Sequence, residues 1–304
     1  MKKLILISVL VATLVGCTKL SQSENRVIVG DTVSLNIMME FDIDVVGVPD
    51  NASEVDEKYS DIPKIGNAMG LNNEEIYLLD PSVVIMSNST EEAFGNVEKP
   101  LKNLGINTLF LNYDSISNLK ESIMELGVYF DKEDVAKQLI IRLESGEDDI
   151  ISQVNSLDYI PKVLVLFGAP MGSASDSISV QTNFMFGGSL IEYLGATNVG
   201  SSAYPSDKRG MYKPNDWEPL YNEEPDFIFC IAHGYPDEVF AMYDTIWETL
   251  PYSYFNAAKN NKIYYLPSDV VNVIATFDYV ESMQYVLDIF NGNVNPYYND
   301  GLVS

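Results

Sequence analysis

Apolar and polar positions along this chain sort into short hydrophobic runs separated by stretches with helical spacing. RVIVG at 26–30, VVGVP at 45–49, PSVVIM at 81–86 and NTLFLN at 107–112 are rich in β-branched and aromatic residues and are bounded by turn formers, so they predict strands. Positions 74–79 and 119–129 carry the spacing of helices between or after them. A second series repeats the theme, with strands predicted at KVLVLFG (162–168), DFIFCIA (226–232) and KIYYLP (262–267) and helices near 186–194 and 280–290. Strands alternating with helices argue for an open sheet. The predicted fold class is therefore α/β, with two open α/β lobes at 26–130 and 157–304.

Between the two blocks lies DKEDVAKQLIIRLESGEDDIISQV, positions 131–154. Val135, Leu139, Leu143, Ile150 and Val154 fall on one helical stripe, and Asp131 and Asp134 are placed as a capping pair. The pattern predicts one long helix that runs through Gly146 and joins the lobes over 131–156.

The start of the chain, MKKLILISVLVATLVGC, has Lys2 and Lys3, an apolar run over 4–15, then Gly16 and Cys17. That order is the signature of a secretory signal, and the apolar run falls short of the roughly 18 residues of a spanning helix. Leu14-Val15-Gly16-Cys17 resembles a bacterial lipobox. It predicts a signal segment over 1–17, lipid on Cys17 and a polar tether at 18–25, holding the protein on the extracytoplasmic face of the cell membrane. Each buried methylene of an acyl chain contributes roughly 0.8 kcal/mol to such an anchor. With Cys17 lipidated, Cys230 is the sole remaining thiol. No intrachain disulfide is then possible, and burial must stabilise the fold.

The formal net charge is -26. Nucleic acid and anionic lipid headgroups are poor partners for such a chain, and an acidic surface keeps a tethered protein in solution. The sequence has no nucleophile elbow, no phosphate loop and no HExxH. An extracytoplasmic enzyme with a His-centred acid-base site is the weakest reading.

One histidine exists in the whole chain, His233, in the loop after the apolar run FIFCIA. A zinc or manganese cage draws on several His, Cys or carboxylate ligands, whereas an isolated imidazole takes one axial position on an iron porphyrin. Cys230 precedes His233 by three positions in a strand-like run, so its side chain is sent to the opposite face and reads as a buried structural thiol.

Two lobes joined by one helix resemble the solute-binding proteins of class III periplasmic-binding-protein-like architecture, which serve importers of haem, cobalamin and ferric siderophores. Within that class, KIGNAMGLNNEEI, SISVQTNFMFGGSLIEYLG, AHGYPDEV and NAAKNNKIYYLP resemble segments of the haem-binding lipoproteins of iron-regulated surface haem uptake, the IsdE type. The resemblance implies haem as the transported ligand, and no enzyme activity. It implies an ABC permease and its ATPase as partners, with a surface haem-donor protein upstream. The methionine of NAMG and the histidine of AHGYPDEV then ligate the iron from opposite lobes, which places the roles on Met69 and His233. Imidazole and thioether are an established axial pair, and Gly66 and Gly70 flank Met69 where a flat macrocycle would approach. Cobalamin or a ferric siderophore in the same fold is the alternative ligand.

For the rest of the pocket, Thr182, Asn183, Phe184 and Met185 precede the helix near 186, where backbone N–H groups suit a propionate. Thr32 and Ser34, ahead of LNIMMEF, are the matching expectation in the first lobe. Tyr235 is placed as a wall, with Tyr204 and Tyr212 as further aromatic residues whose default role is packing. Arg209 and Lys213 fall in a rim loop and read as solvated. The class also presents one acidic residue per lobe to basic residues of the permease. The matching positions are Glu74 in LNNEEI, with Glu75 as a one-residue alternative, and Glu218 in NDWEPLYNEEPDFIF. The helix macrodipole alone also favours acids there.

Overall fold

Both faces of the predicted strands are covered, which is why the runs are apolar throughout rather than alternating. The computed structural model describes residues 26–67, 70–88, 98–169, 178–204, 209–233, 235–249 and 251–296. Its first lobe contains β1 (Val27–Val29), α1 (Thr32–Glu40), β2 (Val45–Gly47), β3 (Gly66–Asn67), β4 (Gly70–Leu71), α2 (Asn73–Leu78), β5 (Val83–Ser87), α3 (Glu98–Asn103), β6 (Asn107–Leu111) and α4 (Ile116–Tyr129). A parallel sheet runs in the order β2-β1-β5-β6. Val27, Val29, Val83 and Ile85 enter one apolar layer, and Ile28, Val84 and Met86 enter the other.

The connection departs from the predicted single helix. It is two helices, α5 (Glu133–Leu143) and α6 (Glu147–Asn155), broken at Gly146. Gly146 has φ 102°, in the left-handed region that glycine enters without steric penalty. Leu139, Leu143, Ile150 and Val154 are buried as expected, but Val135 is 38% exposed and Ala136 takes the buried position. Asp131 and Asp134 do not cap α5. Its N-cap is Lys132, without a side-chain bond, because Asp131 is itself in the left-handed turn out of α4, with φ 55°.

The second lobe comprises β7 (Lys162–Gly168), β8 (Ile178–Gln181), α7 (Phe186–Tyr193), β9 (Thr197–Asn198), α8 (Val199–Ala203), β10 (Met211–Tyr212), α9 (Glu218–Asn222), β11 (Phe227–Ala232), α10 (Pro236–Asp244), α11 (Asn256–Lys259), β12 (Ile263–Leu266) and α12 (Tyr279–Phe290). Its sheet order is β10-β8-β7-β11-β12, with β9 on the start of β7. β7, β11 and β12 are parallel; β8 and β10 add antiparallel pairs at one side. Val163, Val165 and Phe167 face one layer, Leu164 and Leu166 the other.

One apolar cluster is continuous from Val27 and Leu35 through Leu139, Ile150 and Val154 to Phe229, Met283 and Phe290. The lobes are thus packed on the connecting helices rather than hung from a bare linker. They also touch directly, since the Ala275 N–H donates to the Tyr113 carbonyl at 2.7 Å. Tyr113 follows β6 and Ala275 follows β12, so the carboxyl ends of the two parallel sheets face each other. That apposition defines the cleft.

Candidate functional site

In an open α/β sheet the ligand crevice opens beyond the carboxyl ends of the strands, where the chain order reverses. In the second lobe the chain leaves β7 for β8 on one side and reaches β11 on the other, so the reversal lies between β7 and β11. His233 follows the last residue of β11, and its N–H donates to the Gly168 carbonyl at the end of β7, at 2.9 Å. The imidazole stacks on Phe167, with ring centroids 5.8 Å apart and planes at 29°. His233 is exposed, whereas Cys230 and Ala232 in the strand behind it are buried. Burial pushes the Cys230 thiol well up, in keeping with an inert structural role.

Met69 lies outside the described residues, as do Cys17 and the segments 1–17 and 18–25. The strands to either side of Met69, β3 and β4, pair antiparallel, with Gly66 opposite Leu71 and Asn67 opposite Gly70. Gly66 has φ 95°, and a Cβ there would stand 2.1 Å from the Gly70 carbonyl oxygen. The pairing itself therefore requires glycine at 66. Among the described residues nothing crowds a Cβ at 70 within 4 Å.

The first-lobe reversal lies between β1 and β5, where Asp31 follows β1 and caps α1. Its carboxylate accepts from the Ser34 N–H at 2.7 Å and from Ser34 Oγ at 2.8 Å, and Ser34 Oγ meets Tyr113 OH at 2.9 Å. Burial pushes the Asp31 carboxyl up to about 6, against the opposing pull of hydrogen bonds from Ser34, Val33 and Ser87. Burial, and then the charge of Asp31, raises Tyr113 well above the usual phenol range. Of the expected propionate donors Thr32 and Ser34, this geometry occupies Ser34. Ser34 is fully buried, with its N–H and hydroxyl engaged, and a second carboxylate beside Thr32 would meet the charge of Asp31.

An interlobe cavity of about 630 Å³ is lined by Asn112, Asp114, Ser115 and Asn118 from the first lobe and Asn183, Phe184, Met185, Gly210 and Met211 from the second. Its volume falls within the roughly 300–1,000 Å³ of small-molecule sites. Asn183, Phe184 and Met185 are therefore at the cleft, but not as the expected free backbone donors. The Thr182 N–H bonds the Gly210 carbonyl, the Asn183 N–H bonds Ser201 Oγ, the Phe184 N–H bonds Thr182 Oγ1 and the Met185 N–H bonds the Thr182 carbonyl. Thr182 is fully buried, and its hydroxyl donates to the Arg209 carbonyl at 2.6 Å. Phe184 and the two thioethers offer apolar and polarizable wall instead.

Tyr235 caps α10 with φ 45° and is exposed, and neither it nor His233 is among the described residues that line this cavity. Tyr204 and Tyr212 pack edge to face, and the Arg209 guanidinium lies over Tyr212. Asn112, Asp114, Ser115 and Asn118 escaped sequence reasoning. Their available signal was a Ser N-cap, since Ser115 Oγ accepts from the Asn118 N–H at the start of α4. Among the described residues no group of three or more His, Cys, Asp or Glu is arranged to hold a bare metal ion.

Glu74 and Glu218 are exposed in the first turns of α2 and α9. Each short helix is followed in the chain by a parallel strand, β5 or β11.

The periplasmic binding protein family model matches residues 31–270. The high-affinity heme uptake system protein IsdE of Staphylococcus aureus (strain Newman) is 29% identical over 301 residues, covering 95% of this chain and 97% of that protein. Among solved structures, S. aureus IsdE complexed with heme superposes with a TM-score of 0.76 at 28% identity, covering 88% of this chain and 99% of the other. An ABC transporter substrate-binding protein from Listeria monocytogenes EGD-e gives 0.77 at 27%, covering 88% and 98%. The vitamin B12 binding protein BtuF of Vibrio cholerae, at 14% identity and TM-score 0.65 over 88% and 96%, shares the fold alone. With two α/β lobes opposed across a cleft and a family match over most of its length, the chain belongs to the periplasmic binding protein family.

Proposed function

We propose that this chain is the haem receptor of an ABC import system, with the iron held between His233 and Met69 from opposite lobes. Its role is transport and not catalysis. The observation that carries the reading is the position of His233: the chain's only imidazole, exposed, braced on Phe167 and fixed by its backbone at the reversal point of the second-lobe sheet. Nitrogen and sulfur as axial partners favour the reduced iron. The likeness to IsdE over nearly the whole of both chains supports haem over the other solutes of this architecture. Asn183, Phe184 and Met185 contribute to the ligand's surroundings from the cavity wall.

In this reading the protein works outside the cytoplasmic membrane, anchored through lipid on Cys17, takes haem from a surface donor and passes it to the permease and its ATPase. Glu74 and Glu218, one per lobe and exposed at the start of a short helix, meet basic residues of the permease. Titration of the domain after Cys17 with haemin tests the ligand assignment. The reduced complex is expected to give a low-spin, six-coordinate spectrum with one haem per chain. His233→Ala removes most of the affinity, and Met69→Ala alters the spectrum with a smaller loss. Retention of the parent spectrum by both variants overturns the pair.

A further inference from the structure

Glu147 is the first residue of α6, immediately after the break at Gly146, and it is 6% exposed. A carboxylate in such a place is costly unless every oxygen is engaged. Lys120 Nζ, from α4 of the first lobe, stands 2.9 Å from Glu147 Oε1 and 3.2 Å from Oε2. Tyr193 OH, from the end of α7 in the second lobe, donates to Oε2 at 2.5 Å. Tyr279 OH, from the start of α12 in the same lobe, donates to Oε1. Lys120 also pairs with Glu144 Oε1 at 2.9 Å and meets Tyr193 OH at 3.1 Å. Burial pulls the Lys120 ammonium downward, but its bonds to Glu147, Glu144 and Tyr193 outweigh that and raise it.

One carboxylate thus receives the first lobe through an ammonium and the second through two phenols, while belonging to the connection between them. The apolar core already holds the connecting helices to both lobes, so this network is not needed merely to keep the pieces together. What it adds is direction. Apolar layers tolerate sliding, whereas hydrogen bonds from two lobes to the two oxygens of one group do not. The break in the connecting helix has the same logic, since a left-handed glycine lets α6 begin with its first side chain turned into the junction.

We propose that Glu147 is a positioning residue, an interlobe latch that fixes the separation of the two carboxyl edges and so the width of the cleft. Its effect on haem rests on the reading above; the latch itself does not. If the iron is held from both lobes, a fixed separation presets the span between the two ligands, and loosening it speeds release without removing either ligand.

The test uses the full chain carrying Cys17→Ser in detergent micelles, spin-labelled through Leu104→Cys and Ile160→Cys, one exposed site per lobe. The buried Cys230 is shielded from the label. Two latch variants are compared with the parent by electron–electron distance measurement and by haem transfer to an excess of apomyoglobin. They are Glu147→Ala and the milder Tyr193→Phe with Tyr279→Phe, which removes only the second-lobe hydroxyls and keeps a folded alternative in hand. The parent is expected to give one narrow distance distribution. Both variants broaden it, and haem leaves them about tenfold faster, as for loss of hydrogen bonds to a charged group, with the axial spectrum of the bound form unchanged. A distribution as narrow as the parent's in the folded variants overturns the latch. Failure of the parent to take haemin would overturn the haem reading instead, and the distance measurement would still decide the latch.

Discussion

Asp31→Asn isolates the charge at the first-lobe reversal point. The Asp31 carboxyl moves from 3.8 to about 6 on folding, chiefly through burial. A shift of roughly two units at about 1.4 kcal/mol each sets an upper bound of about 3 kcal/mol. Asp31 is half-buried, so solvent reaching the carboxylate lowers the expected effect to about 1–3 kcal/mol. The folded pKa lies above the unfolded one. The folded state therefore binds the proton more tightly, and this stabilisation is complete below about pH 4 and lost as the pH rises through about 6. Asparagine keeps the geometry but not the titration. Its Oδ1 still accepts from the Ser34 N–H, its Nδ2 can donate to Ser34 Oγ, and that hydroxyl is then free to donate to Tyr113. Asn and Asp are equal as N-caps.

Urea unfolding of parent and variant at a series of pH values measures the difference, and the comparison within a pair cancels the other carboxylates. The variant is expected to match the parent at and below about pH 4, to gain on it between about pH 4 and 6, and to exceed it by a constant difference of about 1–3 kcal/mol at pH 7.5. A difference that stays flat with pH, or a variant less stable at neutral pH, would refute the reasoning. Either result would mean that the Ser34, Val33 and Ser87 hydrogen bonds fully offset burial.

Two further outcomes follow from single geometric facts. Gly66→Ala forces a Cβ onto the Gly70 carbonyl at φ 95° and is expected to destabilise the β3-β4 pair by about 1–3 kcal/mol, read as a lower midpoint of thermal or urea unfolding, with an altered haem spectrum if Met69 is a ligand. Glu74→Ala combined with Glu218→Ala leaves the haem spectrum intact and depresses haem-dependent growth or ATPase stimulation, because surface charges steer encounter and set register even where each exposed pair contributes only about 0.2–1 kcal/mol; normal uptake by the double variant would remove the docking assignment.

The central strands were legible because they are buried on both faces and so are written as largely apolar runs: Val27 to Val29 and Lys162 to Gly168 lie inside predicted segments, and Val83 to Ser87 overruns its segment by one residue. The place of His233, directly after β11, was legible for a different reason, that the apolar run FIFCIA ends just before it. α1 and α10 were missed. α1 is nearly all apolar, LNIMME, with little polar face to mark a period, and α10 begins at Pro236 directly after the left-handed Tyr235, so its start carries no Ser, Thr or Asp cap. The pocket donors failed because a local rule, that N–H groups at helix starts are available to anions, was applied without knowing their partners. Gly210 and Ser201 occupy the Thr182 and Asn183 N–H groups from 28 and 18 positions away, and Thr182 itself occupies those of Phe184 and Met185.

The break in the connecting helix shows where periodicity is blind and what it nevertheless contains. Leu143 and Ile150 are seven positions apart, close to two helical turns, so a helix that stops after Leu143 and restarts at Glu147 preserves the phase of the apolar stripe. A moment-based reading sees no interruption. Glu147 falls four after Leu143 and three before Ile150, which puts a carboxylate on the stripe itself, where only apolar residues belong. A charge at such a position must either turn the stripe out to solvent or find partners inside. The buried Leu143, Ile150 and Val154 on either side exclude the first, and Lys120, Tyr193 and Tyr279 supply the second. The one polar exception in the stripe, beside the one glycine, was therefore the mark of the junction between the lobes; what no local pattern carried was the identity of the partners, which lie 27, 46 and 132 positions from it.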